Sequence, residues 1–236
     1  MQRRLVDLMR QRGWALWWLL LTANSGHAQV PPSAAQVAAY RGLLAAAQRG
    51  DVAQVDRLLA AAPHSLVERD SHGRSAVHVA TFARQHEVLR RLAGAGADLG
   101  ALDNDRYDAV TIAAVADDEN TLRLLLALGA SARQITSRYD GTALIAAAHL
   151  GHDGVVHQLI RAGAPLDHVN NLHWTALIEA IVLGDGGLRH QATLQLLLAA
   201  GASTTLADRS GRSPLQLARG LGYETMVKML QAAGAR

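Results

Sequence analysis

The stretch DRSGRSPLQLARGLGYETMVKML, residues 208–230, sets a polar turn, two short helix-forming segments and a glycine break in one line. Ser213 can hold the free N–H groups of a first helical turn, and Pro214 has the backbone preset for that turn. Gly222 then interrupts the chain. The core of the stretch, SPLQLA (213–218), has in-phase copies upstream: SAVHVA (75–80), DAVTIA (108–113), TALIAA (142–147) and TALIEA (175–180), with a degenerate RGLLAA at 41–46. The first residues of the copies from Ser75 onward are spaced by 33, 34, 33 and 38, and Arg41 lies 34 before Ser75. Each copy ends on alanine: Ala46, Ala80, Ala113, Ala147, Ala180 and Ala218.

Self-similarity at this period is the signature of stacked repeats, in which no single unit buries its apolar face alone. Apolar residues of the second segments fall at helical spacing, as in Val55, Leu58, Leu59 or Leu122, Leu125, Leu126. A Gly-Ala pair closes the five units after the first (Gly96, Gly129, Gly163, Gly201 and Gly234), suited to a left-handed helix end. Arg84 and Asp117 stand where Gly50, Gly151, Gly184 and Gly222 keep a glycine between the two helices. A side chain in a left-handed turn costs roughly 1 kcal/mol, so those two turns are expected to differ in shape.

This pattern resembles the ankyrin repeat: a turn, a T-P-L-H-x-A signature, a G-H break, a second helix ending in L-L, then G-A-D. The resemblance covers about residues 35–236, with repeats at 35–69, 70–102, 103–136, 137–169, 170–207 and 208–236, after a short linker at 29–34. It implies an all-α solenoid of about six helix-turn-helix repeats with β-hairpin-like loops. The spacing of 38 places five extra residues in repeat five. They are expected to form an enlarged loop over residues 185–192, which contains Gly186 and Gly187. That glycine run is short and follows a helix, whereas a phosphate-cradling loop follows a strand.

Composition agrees with helix packing. Half of the 236 residues are apolar, with one phenylalanine and no cysteine. Disulfides, thiolate metal sites and a cysteine nucleophile are therefore excluded. Residues 1–28 combine an arginine-rich start, an apolar run from Trp14 to about Ala23, and Gly26 and Ala28 before a cut, which reads as a secretory signal peptide. The apolar run is about half of the roughly 20 residues that a bilayer span needs, so no stable membrane insertion is expected after cleavage. The arginine pair Arg3–Arg4 leaves a twin-arginine route open. Without this leader, which carries four arginines and one aspartate, basic and acidic residues balance at nineteen each. A nucleic-acid partner, which calls for a basic surface, loses its support.

No reacting centre is evident. His149 and His152, with His157 nearby, invite a metal reading, but no carboxylate completes a zinc set in sequence. His152 occupies the G-H position, whose expected role is to close a turn by hydrogen bonding, and His78 the T-P-L-H position, expected to bond between repeats. Glu179 lies in an apolar helix with no local partner group for acid–base work. The chain therefore reads as a non-enzymatic scaffold without cofactor. The resemblance places a protein partner on the concave side, against hairpin tips and the exposed edge of each first helix. By position the contacts are Arg74, Phe82, Asp105, Tyr107, Arg138, Tyr139, His149, Asn171, Trp174 and Val182. Four of the six aromatics beyond the leader fall there, and aromatics with arginine are enriched at binding hot spots. The alternative is that they fill gaps between hairpins. The expected groove centres on repeats three to five, in a periplasmic or secreted bacterial protein. Small secreted relatives linked to peroxide defence imply a second reading, an accessory of a catalase-type periplasmic enzyme. A module binding a small molecule or metal through Arg138, Tyr139, His149 and His152 is a third.

Overall fold

A computed structural model describes residues 29–236; the signal peptide expected at 1–28 lies outside them. Residues 32–236 form one compact unit. A short helix, α1 (Ala34–Ala39), comes first; Ser33 and Gln36 close its start reciprocally, and Val37 rests against the core. This helix falls partly in the linker expected at 29–34. Six helix pairs follow: α2 (Gly42–Arg49) and α3 (Val52–Ala61), α4 (Ala76–Phe82) and α5 (His86–Gly94), α6 (Ala109–Val115) and α7 (Glu119–Ala127), α8 (Ala143–Leu150) and α9 (Asp153–Arg161), α10 (Ala176–Val182) and α11 (Leu188–Ala199), α12 (Pro214–Leu221) and α13 (Glu224–Ala232). The described residues contain no named strand, and a single bridge joins Thr136 to Gly141.

Five of the six first helices start where the sequence provides an acceptor. Ser75, Asp108, Thr142, Thr175 and Ser213 take the backbone N–H three residues on. Arg41, in the degenerate first repeat, makes no such bond. The alanine column is fully packed, from 0 to 1% exposed throughout. It lets first helices of adjacent repeats approach closely, which a larger side chain in that column would prevent. The carbonyls of Ala46, Ala80, Ala113, Ala147 and Ala218 each accept the N–H that closes the turn toward the second helix.

Those turns correct one expectation. Arg84 (φ 54°) and Asp117 (φ 53°) adopt the same left-handed backbone as Gly50, Gly151 and Gly222. The penalty on a side chain there is met by the bond to the alanine carbonyl and by ion pairs: Arg84 to Asp118 at 3.0 Å and Asp117 to Arg189 at 2.7 Å. Gly184, expected to keep that turn, does not, and Gly186 (φ 70°) takes the left-handed position in its repeat. Gly184 is required for a different reason: a Cβ there would collide with the Ala180 carbonyl oxygen and the His190 ring.

The enlarged loop is also shorter than expected. Residues 188–192 are helical, so the extra length divides between a five-residue connection, 183–187, and nearly one additional turn of α11. This segment packs back on its neighbours. His190 lies against Gly151 and Gly184, with Nε2 2.9 Å from the His149 carbonyl and Nδ1 2.8 Å from the Asp185 carboxylate. Arg189 reaches Asp117 and Asp153, and the Tyr223 hydroxyl donates to the Gly184 carbonyl. The insertion therefore clasps repeats three to six at the turn end of the first helices.

Candidate functional site

The opposite end of the first helices carries the hairpin-like loops. In four of them one side-chain oxygen organises five residues. Asp70 Oδ1 accepts from the N–H groups of His72 and Arg74, Asp103 from Asp105 and Tyr107, Asn170 from Leu172 and Trp174, and Asp208 from Ser210 and Arg212. Such Asx turns fold the loop locally. Repeat four has one residue more and no such acceptor: Thr136 N–H donates to Gly141 O, Ser137 Oγ accepts from Tyr139 N–H, and Ser137 and Asp140 are left-handed. The extra residue accounts for its spacing of 34. Successive tips are joined through the backbone: Asn104 N–H donates to His72 O, Ser137 to Arg106 O, and Asn171 to Tyr139 O. Arg138 pairs with Asp105 at 3.2 Å and Arg106 with Asp140 at 3.1 Å, so charges on the tips largely match one another.

The ten expected contact residues lie in different surroundings. Asp105, Arg138, Tyr139 and Asn171 come together on the joined tips, where the Asn171 amide also donates to Arg138 O. Tyr107 and Tyr139 are half-buried; burial, then the neighbouring Asp105 and Asp103 charges, pushes the Tyr107 hydroxyl upward in pKa. Trp174 and Val182 are half-buried against the core, and His149 is half-exposed with Nδ1 3.4 Å from Glu179. Arg74 is a correction: it is 4% exposed, lies 5.7 Å over the Phe82 ring, and sits 3.6 Å from Asp70. Arg74 and Phe82 thus pack on each other because the ring's electron-rich face attracts the guanidinium, and Arg74 offers little surface to a partner.

Two features escaped the sequence reading. Glu179 does have partners, supplied by other elements: His149 from α8, and the Asn170 amide, which donates to Oε1 at 2.9 Å. Leu102, Ile135 and Val169, each one residue before the first residue of its hairpin, share a register and are 36, 45 and 42% exposed. Their common register was visible in the sequence, whereas the Glu179 contacts bridge nine and thirty residues.

The histidines mostly tie repeats together. His78 Nε2 donates to Tyr107 O at 3.0 Å, while its Nδ1 accepts the Ser75 N–H, so the ring is neutral and tautomerically fixed. Burial depresses its pKa below 6.5. His152 reaches Ala114 O in the preceding repeat, His168 reaches Asp140 O, and His86 reaches Thr121. His149 and His152 therefore turn to different partners, and among the described residues no three His, Asp or Glu side chains gather to hold a metal ion. No helix of the described residues is long and apolar enough to cross a membrane. A shallow hollow between α1 and the first hairpin, lined by Tyr40, Arg41, Glu68 and Asp70, lies away from repeats three to five.

Comparison with known proteins gives the same architecture. The family model described as ankyrin repeats (three copies) matches residues 43–138, 110–208 and 144–236. The Escherichia coli (strain K12) protein YahD, described as an ankyrin repeat protein, is 37% identical over 100 residues, covering 42% of this chain and half of that relative's length. A crystal structure of an ankyrin repeat domain from Acinetobacter baumannii AYE is 42% identical, with a TM-score of 0.77 over 82% of this chain and 98% of that one. A chain in the complex of a predatory endopeptidase from Bdellovibrio bacteriovorus with an immunity protein shares the fold at 22% identity, with a TM-score of 0.63 over 82% and 98% of the two chains. Six in-phase helix pairs, the alanine column, the Asx-turn hairpins and these matches together make the chain a member of the ankyrin repeat family.

Proposed function

We propose that this protein is an exported, non-enzymatic scaffold that binds a protein partner along the hairpin tips and first helices of repeats three to five. Ankyrin repeats are generally protein–protein interaction modules. The observation that carries the reading is the division among the aromatics. Tyr40 is buried and donates to Asp70, Phe82 stacks under Arg74, and Tyr223 is spent on the Gly184 carbonyl. Tyr107, Tyr139 and Trp174 have no side-chain hydrogen bond among the described residues and stay half-exposed. Tyrosine and tryptophan in that state supply contact area with little conformational entropy to lose. Export, and with it a periplasmic or secreted location in a bacterium, rests on the pattern of residues 1–28.

The test is crosslinking capture from the envelope of the producing cell, comparing the natural protein with a variant carrying alanine at Tyr107, Tyr139 and Trp174. A partner lost by the variant while helix content is unchanged supports the reading. A partner retained at full yield contradicts it.

A further inference from the structure

Left-handed backbone is unfavourable for any residue but glycine, and a side chain kept there points to a contact that offsets the strain. Among the described residues, six non-glycine residues adopt it: Arg84, Arg106, Asp117, Ser137, Asp140 and His173. All but one have such a contact within the chain. Arg84 pairs with Asp118, Asp117 with Arg189 and Arg106 with Asp140, while Ser137 Oγ accepts the Tyr139 N–H. His173 is the exception. It is exposed, and its ring makes no hydrogen bond or ion pair among the described residues.

The turn itself does not need a side chain at this place. Asn170 N–H donates to Trp174 O, and His173 N–H donates back to Asn170 O. Gly73 and Gly211 hold the same position in repeats two and six, with the same pair of bonds at Asp70 and Asp208. Glycine at 173 would therefore close the hairpin without strain. The surroundings of the tip define its chemistry. Arg209, exposed on the next tip, is anchored here, its Nη2 donating to Asn171 O at 2.8 Å. No carboxylate among the described residues pairs with it. The acids of the tips are already occupied, Asp208 by Arg212, Asp140 by Arg106 and Asp105 by Arg138. The tip of repeat five thus carries an uncompensated guanidinium and an unengaged imidazole.

We propose that this tip, through His173 and the Arg209 guanidinium anchored on it, binds acidic side chains of the partner polypeptide. Charge complementarity carries the assignment. An aspartate or glutamate accepts from a guanidinium or an imidazole N–H in short, charge-assisted bonds. An arginine already held by a backbone carbonyl loses little further freedom on making them. His173 is then kept on unfavourable backbone for a contact that forms only in the complex. The proposal rests on the partner lying along the tips of repeats three to five, and deepens that reading by naming the chemistry at one end of it.

The test pans a random peptide library displayed on phage against the purified protein, then measures the affinity of recovered peptides for His173→Gly, Arg209→Gln and the triple alanine variant. Recovered peptides are expected to contain aspartate or glutamate. Changing that acid to its amide, or making either single substitution, should weaken binding roughly tenfold, with non-additive effects when peptide and protein changes are combined. His173→Gly should leave the melting midpoint unchanged or raised, because relief of strain opposes the greater freedom of the unfolded chain. Weaker binding by a fold that is no less stable marks a contact residue; a structural residue would lower the midpoint. Peptides without an acid, binding indifferent to His173→Gly or Arg209→Gln, or a lowered midpoint in His173→Gly overturn the proposal. So does a mixed-sequence oligonucleotide that binds the natural protein and not His173→Gly, since the tip would then hold phosphate. If peptides ignore His173→Gly but are lost by the triple alanine variant, the partner-binding face itself survives; if they bind that variant too, both readings fall.

Discussion

Asn170 and Glu179 behave as one unit, and a single atom separates them from conflict. Asn170→Asp retains the oxygen that bonds Leu172 and Trp174, but replaces the donor facing Glu179 with a second carboxylate. It should destabilise the fold by about 1–3 kcal/mol in denaturant unfolding, and Glu179→Gln in the same chain should restore most of the loss. His78 provides a second residue-level prediction. Its folded pKa lies below 6.5 because the ring is buried, so the unfolded chain takes up the proton first. Stability is fully present above 6.5 and is lost as pH falls through the folded value. Melting points recorded from neutral to mildly acid pH should fall, and fall less steeply in His78→Gln. The sequence revealed the role of His78 through its position in the motif. It did not reveal the partners of Glu179, because those depend on how repeat four lies against repeat five.

Among elements, the helix starts were legible because a side-chain cap acts within three residues, whereas the hairpin-like loops came from the resemblance and the Asx oxygens that fold them emerged only in the structure. The insertion in repeat five was legible only as a length. Its glycines suggested a loop, yet contacts to Gly151, Asp117 and Tyr223 draw residues 188–192 into α11 and make the segment a clasp. Both His190 nitrogens face acceptors, a carboxylate and a carbonyl, so the imidazolium alone donates to both. His190→Ala should lower stability by about 1–3 kcal/mol, read in chemical unfolding. Gly184→Ala should do the same, since its Cβ would meet the Ala180 oxygen. Unchanged stability in both variants would mean that the segment is a passive insertion.

At the scale of the molecule, each repeat touches its neighbours, and the clasp adds a contact between α8 and α11. Stability in such a stack is the sum of repeat and interface terms, so repeats three to six should unfold together. The period, the alanine column and the caps made this architecture readable in advance. Of the residues expected to meet a partner, Tyr107, Tyr139 and Trp174 keep part of their surface exposed, whereas Arg74 is drawn inward by Phe82.

The central claim is that those three aromatics form the working face of an ankyrin stack. Titration calorimetry of the captured partner against the natural protein and against the variant with alanine at Tyr107, Tyr139 and Trp174 tests it most directly. The account predicts a loss of roughly a hundredfold or more in affinity with the helical fold intact. Equal affinity of the two proteins would contradict it.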